Sequence, residues 1–278
     1  MLLTDVSAVL AIAGAAEAVD GVAPLDEAWL LALRNRPESI SAEVRPDGFA
    51  LLLGTEVAVV VRPTARGRGL GGSVTAALLH DLAPGRLTAW MHGDSPAARA
   101  LAARFGFVAE RELWVMRRRS AGVNGSGTPG LPDHSPGVEI RGFRAGDEEQ
   151  IVRVNAAAFS WHPEQGSMDL ANLKERMSEP WFEPEGLIEA WEGETLLGFH
   201  WTKRHNDRLG EVYVVAVDPA AQGRGLGRLL TVAGLEHMRE LDEVHLYVES
   251  DNVAAARLYE SLGFTHSPVD THVQFVRP

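Results

Sequence analysis

The sequence has 278 residues, 45% hydrophobic and 23% charged, and contains no cysteine; this is ordinary globular composition and excludes a largely disordered chain. The missing cysteine excludes a disulfide scaffold, a zinc ribbon, an iron–sulfur centre and a thiol nucleophile. With 26 basic against 38 acidic side chains and a net charge of −12, the chain lacks the basic footprint that sequence-independent nucleic-acid binding needs.

In chain order, the first apolar run, Ala8 to Ala16, lies between Ser7 and Glu17. It is far short of the ~20 residues of a transmembrane helix. No Lys or Arg precedes it, so it lacks the flank of a signal peptide. It reads as an amphipathic first helix of a cytoplasmic protein. Glu27 follows Pro24 at a helix start, where an acid suits the helix dipole. Between Ile40 and Glu56 the pattern is one strand short. A β-branched run, Val57 to Val61, then leads through a glycine-rich turn into a helical pattern over Ser73 to Leu82. From Ser120 to Gly137 there are five Gly and three Pro in 18 residues, which marks a linker. The expected domains are therefore 1–119 and 138–278, joined by 120–137. The charge is unequal: 1–137 carries −1 and 138–278 carries −11. An acidic half suits a cationic substrate or simply a solvated surface.

The second half repeats the first. Val61-Arg62-Pro63 and Arg66-Gly67-Arg68-Gly69-Leu70-Gly71-Gly72 return 156 residues later as Val217-Asp218-Pro219 and Gln222-Gly223-Arg224-Gly225-Leu226-Gly227-Arg228. Again a β-branched run, Val212 to Val217, precedes, and a helical pattern, Leu229 to Leu241, follows. Phe105-Gly106-Phe107 returns as Leu262-Gly263-Phe264 at an offset of 157. Two tandem copies of one fold account for this. A glycine turn between strand and helix presents backbone N–H groups and the positive end of a helix dipole to phosphate oxygens. The spacing is neither a dinucleotide G-x-G-x-x-G nor a P-loop, since no Gly-Lys-[Ser/Thr] follows.

The pattern V-x-P-x-x-[Q/R]-x-x-G-x-G resembles the pyrophosphate-binding motif of the GNAT acyltransferases. The segment Asn252-Val253-Ala254-Ala255-Ala256-Arg257-Leu258-Tyr259, closing on Gly263-Phe264, is similar to that family's second signature, with Asn252 as N-cap and Gly263 as stop. Further segments, His162-Pro163-Glu164-Gln165-Gly166, Gly198 to Lys203, Gly210 to Val215 and Leu246 to Asn252, resemble the mycothiol synthase family of tandem GNAT enzymes. The first half matches more loosely, through Asp20 to Pro24, the glycine loop and Arg111-Glu112-Leu113. The resemblance implies an α/β (α+β) fold of two GNAT domains, each a mixed twisted sheet flanked by helices. It also implies acetyl transfer from acetyl-CoA to the cysteine amine of cysteinyl-glucosaminyl-inositol.

By that resemblance, acetyl-CoA meets Val215, Ala216 and Val217, the loop Gln222 to Arg228, and Asn252, Val253, Ala254, Ala255, Ala256 and Arg257. The corresponding first-half residues are Val59, Val60 and Val61, then Arg66 to Gly72. Tyr259 lies seven residues after Asn252, about 10 Å along a helix, and is the implied general acid. Glu211 is the implied base, and Glu27, Glu164, Lys203, Glu211 and Tyr247 the implied acceptor contacts. In the first copy Ala102 stands at the place of Tyr259 and Thr55 at that of Glu211, with Glu56 one residue off and so on the opposite strand face unless a bulge intervenes. The first domain is thus expected to be degenerate, with or without acetyl-CoA. No metal-ligand spacing is present, His80, His200 and His237 reading as packing or surface residues. The chain is expected to act as a monomer without nucleic-acid or membrane partners. Two other readings stay open: a GNAT enzyme for another small amine or peptide N-terminus, and a tandem acyl-CoA sensor without catalysis.

Overall fold

A computed structural model describes residues 3, 5–80, 82–93, 95–119, 130–132, 137–160 and 165–278. The expected linker lies almost wholly outside them. The chain runs α1 (Val6–Asp20), α2 (Glu27–Asn35), β1 (Ile40–Arg45), β2 (Gly48–Leu53), β3 (Glu56–Val61), α3 (Leu70–Leu79), β4 (Leu87–Met91), α4 (Pro96–Arg104) and β5 (Val108–Arg119). It continues with β6 (Val138–Gly142), α5 (Glu148–Ala158), α6 (Leu170–Met177), β7 (Leu187–Glu192), β8 (Thr195–Arg204), β9 (Leu209–Val217), α7 (Leu226–His237), β10 (Glu243–Glu249), α8 (Val253–Ser261) and β11 (Thr265–Arg277). Two compact units form: one is 1–114 with 267–278, the other 115–266. The division thus departs from 1–119 and 138–278. The end of β5 belongs to the second unit and most of β11 to the first.

In the first unit the strand order is β1-β2-β3-β4-β11. β11 runs antiparallel to β4, from Val273 opposite Met91 to Arg277 opposite Leu87. Strand β2 is buried on both faces, so alternate residues serve two cores. Phe49 and Leu51 pack with Ile12, Trp29 and Leu33 of α1 and α2. Ala50 joins Val57, Val74, Leu78, Phe107, Val273 and Phe275 on the other side. The stretch expected to lack a strand holds two, β1 and β2. The Arg45-Pro46-Asp47-Gly48 sequence joining them is a turn signal that closes the hairpin, with Arg45 opposite Gly48.

In the second unit the order is β10-β9-β8-β7-β6, with the end of β5 beside β10. Arg117 pairs with Glu243 at 2.8 Å, and buried Arg118 donates to the Leu262 carbonyl at 2.9 Å. One face packs Ile151, Val154 and Leu173 of α5 and α6 against Phe199, Trp201, Val214 and Ala216. The other packs Leu226, Leu229 and Leu230 of α7 against Ile188 and Ala190. A polar network sits inside this unit: Arg141 Nη1 reaches Asp147 Oδ2 at 2.7 Å and Glu189 Oε2 at 2.8 Å, and the Trp191 indole donates to Glu189. Burial, opposed by the Trp191 hydrogen bond, pushes the Glu189 carboxyl up to about 7.

Two predictions follow from these cores. Phe275→Ala, although close to the C-terminus, is expected to destabilise the first unit by about 3 kcal/mol; hydrogen exchange should show the loss in β4 rather than in β9. Glu189 has a native-state pKa above its unfolded value. Its contribution is complete below about pH 4.5 and is lost as pH rises through about 7. Glu189→Gln should therefore match the parent's melting temperature at pH 5 and exceed it at pH 8; a constant difference between the two pH values would refute the assignment.

Candidate active site

The two glycine loops fold alike, copy for copy. In each, a short 3₁₀ turn (Pro63–Ala65, Pro219–Ala221) is followed by an extended residue, Arg66 or Gln222, with ψ 160° in both. Gly67 and Gly69 have φ of 74° and 81°, and Gly223 and Gly225 have 78° and 76°. These left-handed values are what glycine is needed for. Helices α3 and α7 then start without a side-chain cap, leaving their first N–H groups for phosphate oxygens.

The arginines around the loops are deployed differently. Arg66 is held by Asp20 in a bidentate pair, 2.7 Å on each arm, and Arg224 pairs with Glu192 at 2.7 Å. Arg228, on α7, donates to Ser261 of α8 at 2.9 Å. In the first copy the position of Arg228 is Gly72 and that of Ser261 is Arg104. The Arg104 guanidinium lies 2.8 Å from where a Gly72 side chain would begin. Each copy therefore brings one guanidinium to the loop helix, from opposite helices.

Strand β9 carries a bulge. Val214 is opposite Trp201 and Val212 opposite Thr202, so Tyr213 is the extra residue. The parallel ladder to β10 covers Leu209 to Val212 only. Beyond the bulge, Val215, Ala216 and Val217 keep their partners on β8 but have no ladder to β10. The two strands diverge there and leave an open strand edge beside the second glycine loop. In the first unit the corresponding pair, β3 and β4, shares one ladder position, Glu56 with Thr88. A cavity of about 830 Å³ lies there, lined by Val59–Val61, the glycine loop, Trp90 and Leu101.

Just before the bulge, one row of side chains crosses three strands. Lys203 of β8, Glu211 of β9 and His245 of β10 are direct cross-strand partners and so share a face. Tyr247, two residues on from His245, lies on that face too, with its ring edge-on to His245 at 5.5 Å. Glu211 is buried. Its Oε2 is 2.7 Å from His205 Nε2 and 3.5 Å from His245 Nε2. Burial drives the carboxyl up, but the hydrogen bonds and charge of the two imidazoles outweigh it and hold the group at about 2. The Lys203 ammonium stands 4.6 Å from the Trp181 ring and 5.1 Å from Tyr213, whose hydroxyl accepts from Arg176 at 2.7 Å.

Asn252 caps α8, accepting from the Ala255 N–H at 3.1 Å, and the helix stops before Gly263, φ 89°. Tyr259 lies on α8 against Phe264, and burial pushes its phenol up to about 12. It remains a proton donor throughout the neutral range.

The structure thus brings Glu211, Lys203 and Tyr247 together and sets Tyr259 on the capped helix that follows β10. Glu27 opens α2 in the first unit. Glu164 lies outside the described residues. His205, His245, Trp181 and Tyr213 were not foreseen: His205 and His245 are 40 residues apart, and only the strand register shows that they meet. Among the described residues the first copy has no such row. Its β2–β3 hairpin turns at Gly54 and Thr55, with Leu53 already opposite Glu56, so Thr55 is a turn residue. Glu56 accepts from the Trp29 indole at 2.5 Å, and the register from Gly48 to Leu53 runs without a bulge. Ala102 packs into the core.

The acetyltransferase (GNAT) family matches residues 151–264, and the FR47-like family matches 40–115. A mycothiol acetyltransferase of Nocardioides sp. is 55% identical over 98% of this chain and 97% of its own, and one from Thermobispora bispora is 49% identical over 96% and 94%. The chain belongs to the mycothiol acetyltransferase family. Its fold is that of tandem GNAT proteins: one from the clavulanic acid biosynthesis pathway superposes with a TM-score of 0.71 at 20% identity, over 98% of this chain and 94% of that one. In mycothiol acetyltransferase terms, the polar row and the splayed β9 edge both belong to the second copy. No helix among the described residues is long and apolar enough to cross a membrane.

Proposed function

We propose that the chain transfers acetyl from acetyl-CoA to the cysteine amine of cysteinyl-glucosaminyl-inositol, the final step of mycothiol formation, and that the second unit carries the chemistry. The observation that supports this most directly is the Lys203–Glu211–His245 row, present beside the second splayed edge and lacking beside the first.

Acetyl-CoA supplies the thioester. Gln222 to Arg228 receive its pyrophosphate on uncapped N–H groups. Val215 to Val217 offer an unladdered strand edge to its amide-bearing arm, as an added strand would use it. Asn252 to Arg257 flank the same path. Glu211, the ionised middle member of the row, accepts a proton from the acceptor ammonium. The freed amine attacks the thioester carbonyl, the C–S bond breaks, and Tyr259 returns a proton to the departing thiolate. Lys203 and Tyr247, with Glu164, hold the hydroxyl-rich acceptor. Two protons leave the nitrogen, the ammonium's to Glu211 before attack and a second as the tetrahedral intermediate collapses; one reaches the sulfur through Tyr259 and the other passes to solvent.

The first unit, on this reading, binds acetyl-CoA without turning it over. It keeps the loop Arg66 to Gly72, the strand Val59–Val61 and the cavity between them, while Thr55 and Ala102 offer neither base nor acid. An acceptor of another kind, a small amine or peptide N-terminus, is the competing reading. It fails if purified protein given acetyl-CoA and cysteinyl-glucosaminyl-inositol releases the acetylated thiol by mass.

Two outcomes are expected. Glu211→Gln and Tyr259→Phe should each slow single-turnover acetyl transfer by about 10²–10⁴-fold while acetyl-CoA still binds; an unchanged rate removes that residue from its role. Gly69→Ala and Gly225→Ala each force a side chain into a left-handed position, at about 1–2 kcal/mol. Equilibrium dialysis should find two acetyl-CoA per parent chain. Gly69→Ala should lower the stoichiometry and spare turnover, whereas Gly225→Ala should lower both; turnover lost in both variants alike would count against a passive first site.

A further inference from the structure

The acetyl-transfer reading uses Glu211 but assigns nothing to the two imidazoles that converge on it. The ligand atoms of His205, Glu211 and His245 all lie within 4.8 Å of one another. Two contacts, 2.7 Å and 3.5 Å, meet at one carboxylate oxygen. Two imidazole nitrogens and a carboxylate are a donor set for zinc-class divalent cations, whose ligands stand about 2.0–2.2 Å from the metal. In a tetrahedral site this places neighbouring donor atoms roughly 3.3 Å apart, so small side-chain shifts would seat the ion.

The framework is rigid. Glu211 and His245 are buried, direct partners in the β9–β10 ladder. His205, at the end of β8, keeps about 33% of its side chain exposed and gives a way in. The buried Nδ1 of His245 has no hydrogen-bond partner among the described residues, so it can take the ring proton when Nε2 turns its lone pair from Glu211 to a cation. An imidazole that coordinates a metal does so through an unprotonated nitrogen, so a bound dication would meet a single carboxylate charge. With no cysteine in the chain there is no thiolate competitor, and among the described residues this is the one such group of three.

We propose that His205, Glu211 and His245 form a binding site for one zinc-class divalent cation, and that its occupation silences acetyl transfer. The silencing rests on the proposed role of Glu211: a carboxylate ligating a dication cannot also take a proton from the acceptor. The metal is an inhibitor here, not a participant in the reaction, and three protein ligands leave a fourth position for water.

The test uses the full chain, tag-free and stripped with a chelator, dialysed against zinc chloride, with bound metal measured directly and cobalt(II) as an optical probe. One zinc per chain and the visible bands of four-coordinate cobalt are expected. His205→Asn and His245→Leu should each weaken zinc binding by at least about tenfold, and the double variant should lose it. Acetyl transfer should fall over the same zinc range and recover with chelator. Absence of stoichiometric zinc overturns the site, as does undiminished binding in the double variant with a cooperative melt. His205→Asn, at the exposed hairpin end, decides the point should the buried variant misfold. Bound zinc with undiminished turnover overturns the silencing. If the metal-free chain transfers no acetyl group, the catalytic reading fails, while dialysis and the cobalt spectrum still decide the site.

Discussion

The second unit is organised by one extra residue. A parallel pair of strands normally closes its ladder along the shared length, and any polar backbone edge left inside a fold must find a partner. The bulge at Tyr213 ends the β9–β10 ladder at Val212, and everything that gives the site its character follows from where that break falls. Before it, Glu211 and His245 are still laddered, so the carboxylate is held in register and buried between imidazoles. After it, Val215 to Val217 offer an unladdered edge, and the glycine loop starts directly beyond. A ligand with amides along its arm and phosphates at its end meets both features in order. A ladder closed to the end of β9 would remove the strand edge, and a bulge placed before Glu211 would turn its side chain away from Lys203.

The first unit shows what happens when the same plan is shortened. Its loop has the backbone angles of the second to within a few degrees, so the phosphate end is intact. Its central hairpin is clipped: β2 and β3 have six residues each where β8 has ten and β9 nine. The clipped part is the part that carries Lys203, His205 and Glu211 in the second copy. The difference between the two copies at this place is therefore not a matter of single substitutions. Thr55 cannot be mutated into a base, because the strand that would carry it has become a turn. Glu56, the nearest carboxylate, has been recruited to satisfy the Trp29 indole, a structural use that suits a buried N–H donor.

The glycine loops, the helix cap at Asn252 and the place of Tyr259 seven residues on were legible because each is a local pattern: a turn chemistry, a cap, a spacing along one helix. What escaped was set by pairing across long sequence distance. Nothing in Thr265 to Arg277 says that its far half belongs beside β4, since a strand of that length packs equally well in either copy until Val273 and Phe275 find Val57 and Val74. His205 and His245 carry no spacing signal for the same reason; they are neighbours only through the register of β9 and β10. The Arg45-to-Gly48 turn was a readable signal that the count of strands passed over, because the run after it, β2, is buried on both faces and shows no alternation.

The guanidinium that lies against each loop helix comes from a different helix in each copy. Gly72 lacks the arginine that α7 carries at Arg228, yet Arg104 reaches the same place from α4, where the second copy has Ser261. One guanidinium thus lies against each loop helix besides the loops' own arginines, Arg66 and Arg68 in the first copy and Arg224 in the second. Charge at a helix N-terminus is unfavourable when positive, so retaining it by a different route is intelligible if an anion is there to meet it. The two units differ in what surrounds this shared feature: both set left-handed glycines before an uncapped helix, and among the described residues only the second sets a buried carboxylate between two imidazoles.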